Sequence, residues 1–535
     1  MGMRVSGMYS GLDTESIISE LVSAKSAKVT KLKNDKQKLE WKQEVWQGLN
    51  SKIYSLYSSK LTKMRYESSY VKRKTSSSNE NVVSVVAGDG SVLGSQTLKV
   101  NKLAQTGYLT GAQIKGKTSE DNPDGKIALD TKLTDINENL NGSKLNLKVG
   151  DGEEKEIEIT ADMTVNGLLS KFKEAGINAT FDTNNQRFFL NGKEMGTEAD
   201  FTLTSTSMVS DGNGGANNAL RVLGLDTTAT EDEYMALYGT KSSAVKLQGQ
   251  DAEIELNGAT FKGKSNTFVI NGLTLDIKDV TATGETVTIT TTSDTNGIYD
   301  MIKDFFTEYN DMINSVAKYY NAESASKYDI LTAEQKESMT DEEIENWENK
   351  IKDSLLRRDP ILSILIQDLN SIMTGGIDMD DGVGTDGKPK TKKMYLSEFG
   401  IKTLNYFEAE DNEHYSFHID GDDDDEKTKT NADKLKKMIA SDPEKVTEFF
   451  SSLSKKIYEH LDKAMESTDY SSIYKVYNDK ELKKETTNFE KKIKEAQKAL
   501  NAYEDKWYDK FTAMEVAMSK LQSNQNAVSR MLQGL

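Results

Sequence analysis

Residues 489–532 read FEKKIKEAQKALNAYEDKWYDKFTAMEVAMSKLQSNQNAVSRML. Apolar positions step by four and three from Phe489 through Ile493, Ala496, Leu500, Tyr503 and Trp507. Trp507 to Phe511 is a step of four where three is due, after which the pattern resumes through Met514, Met518, Leu521, Gln525, Val528 and Leu532. This spacing lays one apolar row along a helix. Neither Gly nor Pro occurs between 444 and 533, so nothing in the backbone interrupts it. The quoted stretch would span roughly 65 Å at 1.5 Å per residue. A stutter locally unwinds a supercoil, which suits packing in a bundle or tube better than a long two-stranded rod.

The other end of the chain holds a second helical pattern. Asp13-Thr14-Glu15 supplies an N-cap followed by a first-turn acid. From Thr14 to Gln47 no Gly or Pro intervenes, and Ile17, Ile18, Leu21 and Val22 open the apolar face. Beyond them Leu32, Leu39, Trp46 and Ile53 recur every seven residues. A coiled-coil seam needs a second row, yet Asp35, Lys36, Lys42 and Gln43 stand in its places. One row cannot hold the helix alone, so a partner is required.

Between these ends the composition changes. From about Thr75 to Asp294 Gly, Asn, Thr and Asp are frequent and apolar residues alternate. Val83–Val85, Leu98–Val100, Leu145–Val149, Ile157–Ile159 and Val287–Ile289 read as strands. Phe268–Ile270 and Leu273–Ile277 flank Asn271-Gly272, a strong two-residue hairpin signal. A helix is expected from Val165 to Glu174, capped by Thr164 and ended by Gly176, with a shorter one at Ala219–Leu223. At Gly297 the helical period returns with Ile298, Ile302, Phe305, Phe306, Tyr309 and Ile313. Thr332–Gln335 and Thr340–Glu343 are capping boxes. A further helix follows Pro360, and 374–390 reads as a Gly/Asp-rich loop.

The fold class expected is therefore multidomain α+β, with terminal coiled-coil helices, a helical-bundle stalk and two nested antiparallel β-rich head domains. The expected division assigns 1–45 and 490–535 to leg segments, and 46–75 with 296–489 to the stalk. Residues 76–116 with 245–295 form an inner head, and 117–244 an inserted outer head.

Composition narrows the chemistry. The 535 residues include no cysteine, which removes disulfides, thiolate metal sites and cysteine nucleophiles. No run of about 18 apolar residues marks a membrane span, and Met1–Ser26 lacks the pattern of a cleavable signal. The net charge of −18 is uneven: residues 1–75 carry fifteen Lys/Arg against seven Asp/Glu, residues 483–535 ten against seven, leaving −29 for the middle. An acidic middle disfavours nucleic acid, and lysine-rich ends read as solvated helix faces.

Three histidines, His414, His418 and His460, are present. His414-Tyr415-Ser416-Phe417-His418 reads as a strand with Tyr415, Phe417 and Ile419 inward. Its two histidines would then face outward, roughly 13 Å apart, too far to share a metal. Neither the acidic run 420–426 nor Asp378–Gly382 satisfies a calcium-loop frame, so both are expected to be solvated turns. No nucleotide loop, nucleophile elbow or zinc helix occurs. No catalytic, cofactor-binding or metal site is expected, and no enzymatic activity.

The ordered set of segments carries a resemblance. Ser10-Gly11-Leu12-Asp13-Thr14-Glu15-Ser16-Ile17-Ile18 with Leu21, then Leu39–Lys42, Gly94–Val100 with Leu103–Gln105, and Asn271–Gly284 follow one another along the chain. So do Val287–Ile289, Phe306–Asn310, Leu396–Ile401 and Tyr503–Leu532. Together they resemble the flagellar filament cap family, also called hook-associated protein 2, over nearly the whole chain. Residues 117–244 match least distinctively, where that family varies most.

The resemblance implies a structural cap at the distal filament tip that promotes ordered polymerisation of exported flagellin and prevents its loss. It implies a ring-like homo-oligomer, contacts with flagellin, hook-associated junction proteins and the flagellar export apparatus, and an export chaperone at the C-terminal segment. It implies an extracellular location reached without a cleavable signal peptide, with no nucleic acid, membrane insertion or cofactor. The assembly interface would comprise Ile17, Ile18, Leu21, Leu32, Leu39, Trp46, Leu500, Tyr503, Trp507, Phe511, Met514, Met518, Leu521, Val528 and Leu532. A sister hook–filament junction protein and a surface adhesin with a ligand-binding head are the alternatives.

Overall fold

The computed structural model describes residues 11–533 except 89, 121, 211–214 and 384–388. Expectations for 1–10, 534–535 and the middle of the 374–390 segment lie outside the described residues. The chain divides into two compact units, one made of Met1–Val71 with Thr295–Leu535 and the other of Lys72–Asp294.

In the first unit, α1 (Thr14–Ser55) opens where Asp13 accepts a hydrogen bond from the Ser16 N–H at 3.0 Å. It runs past Gln47 into a single π-helical turn, Leu56–Leu61. The wider turn rotates the helix face, so that Leu56, Tyr57 and Leu61 are all buried. After α2 (Thr295–Asn321) come α3 (Asp341–Ser354), α4 (Pro360–Thr374), α5 (Pro443–Ala464) and α6 (Asp479–Gln533). The 3.6-residue period of α2 buries Ile298, Ile302, Phe305, Phe306, Tyr309 and Ile313, an apolar stripe facing a core. That core joins α1, the π-turn, α2, α4 and α5. Both capping boxes form as spelled in the sequence.

One reading of this unit is corrected. The 374–390 segment contains strand: Ile377–Val383 pairs antiparallel with Pro389–Met394. Ile377, Met379 and Met394 are buried, an alternation hidden by the acids between them. Both α1 and α6 run unbroken, through 45/46 and through 489/490 respectively.

The second unit holds two cores. In the inner one, a five-stranded antiparallel sheet runs in the order Arg73–Ser77, Val287–Ser293, Gly94–Lys102, Ala252–Leu256, Ala259–Gly263. A three-stranded sheet of Thr267–Ile270, Leu273–Ile277 and Val83–Ala87 accompanies it. Inward residues Leu98, Val100, Ile254, Leu275, Ile277 and Ile289 form the core between them. The Asn271-Gly272 turn has φ of +48° and +79°, the left-handed pair that joins twisted strands tightly. A Cβ on Gly272 would lie 2.6 Å from the Ser91 nitrogen, so only glycine fits.

The outer core spans Leu109–Leu225. There the helix Val165–Ala175 buries Val165, Leu168, Leu169 and Phe172. It is capped by Thr164 onto the Gly167 N–H and ended by left-handed Gly176, as its sequence spells. It packs on the strand Ile177–Asp182, which pairs with Arg187–Gly192, and Leu145 and Leu147 of the strand Lys144–Val149 join the same core.

Candidate functional site: the terminal helix pair

The partner that α1 lacks in its own sequence is α6. Three contacts give direction and register: Gln43 Nε2 donates to Thr486 Oγ1 at 3.0 Å, Lys36 pairs with Glu490 at 3.5 Å, and Lys25 Nζ lies 3.9 Å over the Tyr503 ring. Numbers rise along one helix as they fall along the other, so the helices are antiparallel. Polar residues in the second row therefore serve the pairing directly, and long Lys stems cover apolar surface while their charges stay wet.

At its inner end the pair is anchored to the unit core. Trp46 stacks on Tyr477, ring centroids 5.2 Å apart and planes 6° from parallel. The side chain of Asn50, almost fully buried, donates to the Tyr474 carbonyl and accepts from the Val476 N–H, both at 3.0 Å. This clamp ties the segment leading into α6 back onto α1. Sequence reading missed Asn50, and only its place on the apolar side of α1, next to Leu49, hinted at it.

The candidate interface residues separate into three groups. Ile18, Leu39 and Trp46 are buried, and Trp46 and Leu39 belong to the core of the unit. Ile17, Leu32, Leu500, Tyr503, Trp507, Phe511 and Met514 are half-buried along the pair. Leu21, Met518, Leu521, Val528 and Leu532 are exposed, Leu521 at 64% and Leu532 at 69%.

The reason lies in length. Continuing the register from Lys25–Tyr503, the first residue of α1 comes level with about residue 514, because both helices rise 1.5 Å per residue. Thr14 and Glu515 are accordingly both buried. From Val516 to Leu532 every residue but Ser519 is exposed. The composition changes at the same point: 516–533 contain Lys520 and Arg530 but no Asp or Glu.

The motifs considered for metal chemistry resolve differently. Among the described residues no group of three or more His, Cys, Asp or Glu could hold a metal ion. Only His418–Ile419 of the expected 414–419 strand is strand. Phe417 and Ile419 are buried and Tyr415 half-buried. His414 stacks on Tyr406, while His418 Nδ1 lies 2.7 Å from Asp425 Oδ2; His460 sits 3.7 Å from Asp368. The outward-facing reading of His418 is thus overturned, because Asp425 draws its ring inward.

The acidic run is not a solvated turn either. Asp420 and Asp422 are buried, and Lys303 on α2 bridges Asp422 and Asp424. One lysine from a distant helix compensates charges that the local sequence leaves unpaired. Burial alone would raise the Asp425 carboxyl, but hydrogen bonds from His418, the Lys427 N–H and Thr428 hold it below its usual range. A carboxylate lowered in the folded state adds stability above the unfolded value of about 3.9 and loses it as pH falls through the folded value. Asp425→Asn is expected to destabilise the first unit by about 1 kcal/mol at pH 7. Urea denaturation repeated at successively lower pH should show that penalty constant well above the unfolded value of about 3.9 and shrinking steadily as pH falls below it.

With this geometry in hand, comparisons with known proteins identify the lineage. The model of the flagellar hook-associated protein 2 C-terminus matches residues 249–523, and that of the N-terminus matches 10–107. The chain belongs to the flagellar hook-associated protein 2 family. The unmatched stretch between these regions contains the outer core.

A B-type flagellar hook-associated protein 2 of Pseudomonas aeruginosa is 28% identical over 282 residues, which is 50% of this chain and about half, 52%, of that protein. A flagellar hook-associated protein 2 of Thermotoga maritima is 24% identical over 100% of this chain and 96% of that one. A solved structure of a flagellar cap protein from Escherichia coli covers 83% of this chain and 99% of its own at 18% identity, with a TM-score of 0.47. Both hook-associated protein 2 family regions meet in the terminal pair, since one match begins just before α1 and the other ends within α6.

Proposed function

We propose that this chain caps the distal end of a bacterial flagellar filament, where it promotes ordered addition of exported flagellin and prevents its loss. One observation carries the reading. In a chain of this family, α6 outruns α1 and presents Met518, Leu521, Val528 and Leu532, at steps of three, seven and four along one row, with no cover among the described residues. An exposed helical stripe of this kind is an assembly surface. Buried against partner helices, each large apolar side chain on it contributes roughly 1.5–3 kcal/mol.

The role is structural and involves no catalysis. Its partners are further copies of the chain in a ring, flagellin, the hook-associated junction proteins, and the export apparatus with a chaperone at the C-terminal segment. Its place is outside the cell at the flagellum tip. No helix among the described residues is long and apolar enough to cross a membrane. A chain without cysteine also tolerates passage from a reducing to an oxidising compartment.

Deleting the gene tests this reading. A strain without the protein should shed monomeric flagellin into the medium and grow no filaments, and restoring the full chain should reverse both. Normal filaments and swimming in the deletion strain would overturn it.

A further inference from the structure

The terminal helix pair carries charge that the chain itself leaves unpaired. A groove of about 990 Å³ runs between α1 and α6, bounded on α6 by Glu490 and Asp505, which stand about 22 Å apart at 1.5 Å per residue. Its apolar lining comes from Ile493 and Ala502, and its rim sets Lys33, Lys36, Lys494 and Lys498 against Glu40, Glu490 and Asp505. These charges do not cancel within the groove. Lys36 alone takes both Glu40, at 2.8 Å, and Glu490, at 3.5 Å, and Asp505 has a partner of its own. Lys33, Lys494 and Lys498 are exposed, and among the described residues no acid pairs with them. Lys494 and Lys498 stand one turn apart on α6, a spacing at which like charges weaken a helix. Lys33 adds a third charge from the α1 wall, level with about residue 493 by the register of Lys36 with Glu490.

The same unit carries a helix of the opposite kind. The first eight residues of α3, Asp341–Glu348, contain five acids and no Lys or Arg. Two of the acids are occupied: Glu343 closes the capping box with Thr340, and Glu348 pairs with Lys336 at 2.6 Å. Asp341, Glu342 and Glu345 are exposed and pair with no cation among the described residues. Asp341 and Glu345 stand one turn apart, as Lys494 and Lys498 do. The second half of α3 is fastened down, with Ile351 buried, Asp353 3.2 Å from Lys318 and Lys352 3.8 Å from Glu44. The acidic half is thus a fixed ridge about 12 Å long, short enough for the groove. Three unpaired acids on a ridge complement three unpaired lysines around a groove, and opposite charges set the orientation of such a contact.

We infer that the acidic first half of α3 in one copy of this chain lies in the α1–α6 groove of the next copy. The contact rests on the oligomeric cap reading above and gives it a residue-level interface. Ridge and groove are different surfaces, so each copy receives one neighbour and docks on another, the head-to-tail arrangement that closes rings. The ridge does not fill the groove of its own chain, because its free acids meet none of the three lysines.

Charge reversal in the full chain tests the contact. Replacing the lysines together (Lys33→Glu, Lys494→Glu, Lys498→Glu), or the acids together (Asp341→Lys, Glu342→Lys, Glu345→Lys), should weaken self-association in sedimentation equilibrium at least about tenfold. A chain carrying all six reversals should recover it, which separates a lost contact from a lost fold. The milder pair Glu342→Gln with Glu345→Gln should weaken association less and keep the parent melting temperature. Raising salt from about 0.05 to 0.5 M should weaken the parent association as well.

Parent-like association in both reversed triples would overturn the contact and leave the oligomer standing. Weakening by the lysine reversals alone, with no recovery in the six-fold chain, would put another acidic segment in the groove and overturn α3 as its occupant. A parent chain that stays monomeric in all conditions would overturn the oligomeric reading together with the contact.

Discussion

Trp46→Ala is expected to destabilise the first unit by about 3–5 kcal/mol, measured by urea denaturation followed by far-UV circular dichroism. The indole is 2% exposed and stacked face to face on Tyr477, within the core that joins α1 to α2, α4 and α5. Truncation leaves a cavity that fixed helix backbones cannot close. It also removes the stack that, with the Asn50 clamp, anchors the segment leading into α6. Against a typical domain stability of about 5–15 kcal/mol this is a large loss. Leu521→Ala supplies the contrast. Being 64% exposed, it should leave stability within about 0.5 kcal/mol of the parent chain. A small effect at Trp46, or a large one at Leu521, would contradict the separation of buried from exposed apolar positions on the two terminal helices.

Ending the chain after Glu515 should abolish filament growth while leaving the rest folded. The segment removed begins where α6 passes the first residue of α1, and from Val516 to Leu532 its residues are exposed apart from Ser519. Few contacts hold it to the rest of the chain, so the urea midpoint of the first unit should move by no more than about 0.5 kcal/mol in stability. If the exposed stripe docks on the filament, complementation of a deletion strain with this truncation should give no filaments and leaking flagellin. Normal filaments from the truncated chain would sink the assembly role of the stripe. A truncated chain that no longer folds would show that 516–533 stabilise the unit, against the exposure seen.

Much of the fold was legible because its signals are local. The α2 period, the two capping boxes, the head helix between Thr164 and Gly176, and the Asn271-Gly272 hairpin each lie within a few residues and depend on backbone geometry nearby. The failures share the opposite property. Strand Ile377–Val383 was hidden because its inward Ile377 and Met379 alternate with aspartates, in a stretch that composition marks as loop. The acidic run looked solvated because its counter-charge, Lys303, lies more than a hundred residues earlier in the chain. His418 looked free because nothing in the 414–419 pattern reveals that Asp425 folds back beside it.

The terminal helices show where the boundary falls. The row from Phe489 to Leu532, its stutter at Trp507–Phe511, and the insufficiency of the single row at Leu32, Leu39, Trp46 and Ile53 were all fixed by residue order. Periodicity determines that a helix has an apolar face and how wide that face is. It does not determine what covers the face, since every segment with a compatible stripe is an equal candidate until the chain is closed in space. Tertiary structure made that choice by running α1 antiparallel to α6 and burying Trp46 in the core. The two helices differ in length, so α1 ends level with about residue 514. The distal part of the stripe, from Met518 to Leu532, is left uncovered by it.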